Sequence, residues 1–166
     1  VAIAVIEEGS LAAGVVHAPA LQMTFAAQRG GGATLEGNPA AVSSTVEVGD
    51  AILATGFPYA RDTLADNNLE NIPRVGAVAG GLRRLGSAAM DLALVSCGRL
   101  DGFWELHLEP WDVAAGILLV NESGGRVTNF AGDDDLQSLL HGRNLVATNG
   151  NLQAPLCSLL APLRGL

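Results

Sequence analysis

The pattern of apolar residues in this chain changes character near residue 51, and that change limits the folds open to it. Before residue 51, short β-prone runs at 1–6, 11–18 and 23–28 are separated by Gly, Ser and Pro. Such spacing predicts strands joined by turns, as in an antiparallel meander. We expect a flexible loop at 30–32 and a turn at 36–39, where Gly and Asn tolerate a positive φ.

After residue 51, apolar strands alternate with segments of helical character. The segment 87–97 illustrates the helical pattern, because Ser87 suits the N-cap and Gly98 stands just past the end. Strands that alternate with helices imply an α/β sheet covered by helices. The predicted strands are 51–57, 100–105, 126–130 and 144–148, and the predicted helices are 61–74, 87–97, 111–123 and 152–163.

Composition excludes several classes of protein. Apolar residues make up 49% of the chain and charged residues 16%, which argues against disorder. The net charge is −8 and all nine basic residues are Arg, so we expect no binding to nucleic acid. Two distant cysteines, Cys97 and Cys157, form neither a disulfide framework nor a zinc site. With no membrane-spanning apolar run and no visible secretion signal, we expect a cytoplasmic protein.

The start of the chain carries a further expectation. Its first residue is Val1, and the run 1–6 has the apolar pattern of a buried strand. Because a domain rarely begins inside its own core, we expect the 166 residues to be part of a longer domain.

The residues with the clearest chemistry lie between 101 and 116. Glu105 would end a strand, and Asp112 would lie in the first turn of the next helix, where the helix dipole favours a carboxylate. Carboxylate oxygens suit Mg²⁺, which binds through protein carboxylates, waters and substrate phosphate. A simpler interpretation is that Asp112 only caps its helix and that Glu105 is solvated.

A second candidate site is a turn of small residues that precedes a predicted helix. Gly86, Ser87 and Ala88 would leave backbone N–H groups free for an anion or a hydroxyl. Packing of a small N-cap against a neighbour explains these residues equally well. No metal-ligand spacing connects the three histidines, which are His17, His107 and His141. We expect surface or packing roles for them.

Several motifs, taken in order, resemble those of the inositol monophosphatase family over nearly the whole chain. The sequence Trp-Asp-Val-Ala-Ala-Gly at 111–116 resembles the family's second motif. The run 1–33 looks like the family's central meander, and Phe-Trp-Glu at 103–105 is more similar to the bacterial branch. The other matching segments are 54–59, 83–92, 98–105 and 122–125.

The resemblance implies a Mg²⁺-dependent phosphomonoesterase with a layered α-β-α-β-α sugar-phosphatase fold. In the family the Asp of the Trp-Asp motif binds metal, and that residue here is Asp112. The Glu seven positions earlier contacts substrate hydroxyls, and that residue here is Glu105. The turn of Gly86, Ser87 and Ala88 would contact substrate through its backbone.

One family motif is absent. Asp-Pro-Ile-Asp-Gly-Thr lies, in the family, just upstream of the strand that starts this chain. Residues 1–166 are therefore expected to be the C-terminal portion of a single domain, incomplete at its N-terminus. Because one carboxylate cannot hold the several ions that position the water, we assign no catalytic residue and expect the isolated chain to be inactive.

Two hypotheses of function follow. In the first, a metal-activated water hydrolyses a small polyol or sugar phosphate. The alternative substrates are histidinol phosphate, sugar bisphosphates and nucleotide bisphosphates, and a homodimer is compatible with the family pattern. In the second, the chain is a non-catalytic half-domain that binds a partner or assembles with a separate N-terminal fragment. An in-frame Asp-Pro-Ile-Asp-Gly-Thr upstream of Val1 would favour the first, and a start codon there the second.

Overall fold

A computed structural model describes residues 1–141 and 144–160. This part of the chain forms two five-stranded sheets and five α-helices, which confirms the expected mixed α/β class. The strands are β1 Ala2–Glu7, β2 Ser10–Ala18, β3 Met23–Gln28, β4 Gly32–Leu35, β5 Asn38–Ala40, β6 Ile52–Thr55, β7 Gly81–Arg83, β8 Gly102–Leu106, β9 Arg126–Thr128 and β10 Asn144–Thr148. The helices are α1 Asn71–Gly76, α2 Ala88–Ser96, α3 Pro110–Glu122, α4 Leu136–His141 and α5 Gln153–Leu159.

The first sheet is the antiparallel meander that the sequence predicts. Strands β1 to β5 pair in chain order, each with its neighbour. At Gly14 the backbone of β2 comes so close to α3 that a Cβ would lie 3.1 Å from the carbonyl oxygen of Ala115. The absence of a side chain at this position therefore lets the sheet pack directly on the helix.

The second sheet is mixed. Its strand order is β7-β6-β8-β10-β9, with β6 parallel to β7 and β8, and with β10 antiparallel to β8 and β9. Because parallel strands end at the same edge of a sheet, the carboxyl ends of β6 and β8 lie side by side. In open α/β sheets this edge is where ligands bind.

Helices cover the sheets in layers. Helices α2 and α3 lie between the two sheets, in a core that includes Phe25 and Phe103. Helices α1 and α5 cover the other face of the second sheet, against Trp104. Neighbours on β8 thus point into different cores, as strand alternation requires. The order is sheet, helix, sheet, helix, and the first helical layer of the predicted fold has no counterpart among residues 1–141 and 144–160.

Two predictions from the sequence are wrong. Strand β1 forms as predicted but is not buried, since Ile3 is 60% and Val5 51% exposed. The predicted helix at 61–74 is helical only in α1, Asn71–Gly76. Side chains there bond to the backbone instead: the Asn67 amide donates to the Arg61 carbonyl at 2.9 Å. Such bonds compete with helix formation.

Smaller differences concern loops and ends. Strand β4 begins at Gly32, within the predicted loop, and β5 begins at Asn38, within the predicted turn. Helix α4 was not predicted at all. The last helix is α5, and the part of its predicted range at 161–163 lies outside the described residues. None of the helices in the described ranges combines the length and apolarity needed to cross a membrane.

Candidate active site

A cleft of about 460 Å³ opens where β6 and β8 end. The N-termini of α2 and α3 meet the same cleft, because each helix begins beside the edge of the second sheet. All the site residues predicted from the sequence line it, and they come from three separate segments of the chain. These residues are Gly86, Ser87, Ala88, Glu105 and Asp112.

Glu105 lies on β8 and is only 9% exposed, so the interpretation of a solvated Glu105 is wrong. Its carboxylate sits over the backbone of Gly56, where a Cβ would lie 2.1 Å from Oε1. Burial raises the pKa of Glu105 to about 7. The positive charge of Arg84 opposes this rise, and the negative charge of Asp112 adds to it. Glu105 therefore titrates near neutral pH.

Asp112 occupies the third position of α3, in the predicted first turn. Its Oδ2 accepts a hydrogen bond from the backbone N–H of Glu109 at 3.1 Å, which completes a capping box. The interpretation of Asp112 as a helix cap thus describes a real contact. The same carboxylate lines the cleft, so capping and a ligand role are compatible.

Ser87 is the N-cap residue of α2, as predicted, although its side chain makes no capping hydrogen bond. The N–H of Asp91 donates to the Ser87 carbonyl at 2.9 Å, which starts the helix. Gly86 before it has a φ of +94°, a left-handed conformation that favours glycine. The first N–H groups of a helix have no partner within the helix, so this turn offers donors to the cleft.

Asp91 was not singled out from the sequence. It is 1% exposed, and its Oδ1 has no hydrogen-bond partner in the described part of the chain. Burial raises the pKa of Asp91 to about 7, with a further rise from the negative charge of Glu105 and an opposing effect of Arg84. The sequence signal that could have identified Asp91 is its position within the apolar run of α2. A single buried acid there needs either a hydrogen-bond partner or a bound proton.

His107 is a second residue that sequence reasoning missed. It lines the cleft two positions after Glu105, and its imidazole contacts Asp66, which lies on the loop between β6 and α1. We expected a surface or packing role for His107, and that expectation did not include its contact with Asp66 or its place in the cleft. Asp66 and His107 are 41 positions apart, and no spacing rule connects them.

The donor set of the cleft fits Mg²⁺ only in part. Asp112 offers a hard carboxylate oxygen of the type that Mg²⁺ prefers. Yet within residues 1–141 and 144–160 no three His, Cys, Asp or Glu side chains are grouped so that they could hold a metal ion. The described residues therefore offer a candidate carboxylate for Mg²⁺ at Asp112 and no complete ligand set.

Known proteins match this chain closely. The model of the inositol monophosphatase family matches residues 1–163. The inositol-1-monophosphatase of Mesorhizobium japonicum is 39% identical over 156 residues, which are 94% of this chain and 58% of the relative. The Nus factor SuhB of Pseudomonas aeruginosa is 43% identical over 166 residues, which cover 98% of this chain and 59% of the relative.

Solved structures of inositol monophosphatases and of suhB proteins are also similar to this chain. The inositol monophosphatase from Anabaena has a TM-score of 0.91 at 37% identity, over 98% of this chain and 66% of that one. The extragenic suppressor protein suhB from Bartonella henselae has a TM-score of 0.88 at 38% identity, over 99% and 61%. The chain spans less than three-fifths of the length of both curated relatives, at 58% and 59%. By motif, fold and similarity, the chain belongs to the inositol monophosphatase family.

Proposed function

We propose that this chain forms the C-terminal portion of a single domain that hydrolyses a small polyol or sugar phosphate with the help of Mg²⁺. The observation that carries the proposal is the cleft, where the backbone turn at Gly86, the buried Glu105 and the carboxylate of Asp112 line one volume. A phosphatase for a polyol needs donors for anionic oxygens, acceptors for hydroxyls and a carboxylate for a cation.

Each group has a role in the proposal. Asp112 would hold Mg²⁺, and bound metal would supply an activated water and neutralise phosphate charge. Glu105 accepts hydrogen bonds from substrate hydroxyls, and Gly56 gives its carboxylate the room to do so. The backbone N–H groups at Gly86, Ser87 and Ala88 hold a substrate oxygen at the N-terminus of α2.

Asp112→Asn tests the assignment of the metal ligand. In a polypeptide that contains this chain and releases phosphate from inositol 1-phosphate, we expect the variant to lose most activity at ordinary Mg²⁺ concentrations. Asn keeps the size of the side chain but removes the charge that binds the cation. The variant Asp62→Asn, at an exposed loop position, is the matched control. Turnover of Asp112→Asn equal to that of the unsubstituted protein contradicts the assignment.

A non-catalytic half-domain is the second candidate function. Two observations favour it: a curated relative carries the name Nus factor SuhB, and the apolar side chains of β1 are exposed. Mixing the chain with a polypeptide that carries the family's Asp-Pro-Ile-Asp-Gly-Thr motif distinguishes the two. Mg²⁺-dependent phosphate release from the mixture, and not from the chain alone, indicates an assembling half. Robust release from the chain alone contradicts both the half-domain and the expected inactivity.

Other properties complete the proposal. Histidinol phosphate, sugar bisphosphates and nucleotide bisphosphates are the alternative substrates, and competition with inositol 1-phosphate ranks them. A cytoplasmic location, a homodimer and the absence of nucleic-acid binding stay predictions. Because relatives carry both enzyme and Nus factor names, binding to nucleic acid deserves a direct assay.

A further inference from the structure

A hydrogen-bonded contact connects the end of β8 to the loop that forms one wall of the cleft. His107 Nε2 lies 3.0 Å from Asp66 Oδ1 and 3.2 Å from the Asp66 carbonyl oxygen. The pair is shielded from solvent, since the side chains of His107 and Asp66 are 20% and 10% exposed. In the described part of the chain, Oδ2 of Asp66 is buried and has no hydrogen-bond partner. The carboxylate therefore interacts mainly with the imidazole.

These contacts fix the tautomer of His107. Both neighbours of Nε2 are acceptors, a carboxylate oxygen and a carbonyl oxygen, so Nε2 must carry a proton. In the neutral ring Nδ1 is then an acceptor. Within residues 1–141 and 144–160, Nδ1 has no hydrogen-bond partner, and His107 lines the cleft.

The backbone of His107 is also unusual. Its φ is +59°, a left-handed conformation that residues other than Gly adopt infrequently, although His adopts it more often than most. Strained backbone of this kind persists where surrounding contacts hold it, and it is frequent at binding sites. Here the contacts with Asp66 hold the residue directly after β8, two positions from Glu105.

We infer that His107 is a further substrate-binding residue, whose Nδ1 accepts a hydrogen bond from a polyol hydroxyl close to the one that Glu105 binds. Asp66 is a positioning residue, because it acts only through the tautomer and orientation of His107. The inference rests on the proposed function and extends it. Two acceptors on one wall of the cleft suit a substrate with neighbouring hydroxyls, and they disfavour a substrate that is apolar at that position.

Two substitutions separate the nitrogen atoms of the imidazole. The amide of His107→Gln reaches the place of Nε2 and can still donate to Asp66, but it leaves no acceptor at the place of Nδ1. The amide of His107→Asn reaches the place of Nδ1, and Asn tolerates a positive φ. His141→Gln, at an exposed position of α4, is the matched control.

In a polypeptide that contains this chain and the family's Asp-Pro-Ile-Asp-Gly-Thr motif, the experiment measures binding of inositol 1-phosphate in the presence of Mg²⁺. Binding is followed by the fluorescence of Trp111, which lines the cleft and is 72% exposed. We expect His107→Gln to raise Kd about 3- to 10-fold, the usual effect of one lost hydrogen bond. His107→Asn and His141→Gln should stay within about 2-fold of the unsubstituted chain. Thermal unfolding of each variant verifies that it is folded.

Long-range ¹H–¹⁵N spectra of the free chain give a readout that does not depend on ligand. We expect the Nε2–H tautomer at His107, and a smaller share of it in Asp66→Ala, which removes the side-chain acceptor and keeps only the backbone carbonyl. The Nδ1–H tautomer, or a His107→Gln variant that binds as tightly as the unsubstituted chain, overturns the inference and leaves the proposed function intact. If a polypeptide that contains this chain and the family's Asp-Pro-Ile-Asp-Gly-Thr motif binds no inositol 1-phosphate, the proposed function fails and the inference fails with it.

Discussion

The two sheets of this molecule are built from similar apolar sequences but are covered differently. Both faces of the second sheet pack against helices, and every residue of β8 is buried. Within residues 1–141 and 144–160, the first sheet packs against helices, mainly α3, on one face only, and β1 at its edge exposes Ile3 and Val5. The cleft lies at the edge of the fully covered sheet. The sheet that is covered on both faces thus carries the site, and the first sheet leaves apolar surface exposed.

The largest expected effect tests the covered sheet. Trp104 on β8 is fully buried, and its Nε1 donates to Asn68 at 2.8 Å. Trp104→Ala leaves a cavity and removes one of the hydrogen bonds of the Asn68 amide, so we expect the free energy of unfolding to fall by about 3–5 kcal/mol. Urea denaturation gives the value. Trp111→Ala is the matched control, since Trp111 is 72% exposed and its loss should cost less than about 0.5 kcal/mol. Equal losses would mean that burial does not distinguish the two tryptophans.

An intermediate effect concerns the charges inside the covered region. Burial raises the pKa values of Asp91 and Glu105 to about 7, from ordinary values of 3.8 and 4.5. At pH values between the ordinary and the raised pKa, the folded chain binds more protons than the unfolded chain. The free energy of unfolding therefore falls as pH rises through this range. Asp91→Asn removes one of the two charges, and we expect it to raise the unfolding free energy at pH 8 by about 1–2 kcal/mol.

Urea denaturation at pH 5 and pH 8 checks this prediction. The gain from Asp91→Asn should shrink at pH 5, where the carboxyl of the unsubstituted protein is already neutral. Asp62→Asn, at an exposed position, should leave the pH dependence unchanged. A gain that is the same at both pH values would show that proton binding by Asp91 is not its cause.

The sequence predicted the covered and exposed regions unequally. Apolar runs predicted seven of the ten strands in the described ranges, because alternation along a strand is local, and they missed the short strands β4, β5 and β7. They also predicted that β1 is buried, which is wrong, since burial depends on what covers a strand and not on the strand itself. Most of the helix predicted at 61–74 does not form, because asparagine side chains there hydrogen-bond to the backbone. Helical propensity alone does not account for such bonds.

The residues of the candidate site also differ in whether the sequence predicted them. The positions of Glu105 and Asp112 followed from local motifs, a strand end and a helix start. Asp66 and His107 could not be predicted, because their contact joins segments that are distant in sequence. Asp91 had a weak local signal in the apolar run of α2, but its burial depends on the folded chain.

The smallest expected effect on stability tests the exposed face of β1. The double variant Ile3→Thr/Val5→Thr keeps β-branched side chains but reduces apolar surface. Because both residues are at least half exposed, we expect the free energy of unfolding to change by less than about 0.5 kcal/mol. Self-association should nevertheless decrease in sedimentation velocity, since an exposed apolar edge strand favours pairing between chains. Val127→Thr, at a buried position of the second sheet, is the contrasting control and should lower the free energy of unfolding by about 1–3 kcal/mol. If the double variant is destabilised as much as Val127→Thr, then β1 is packed in solution and the two sheets do not differ in coverage.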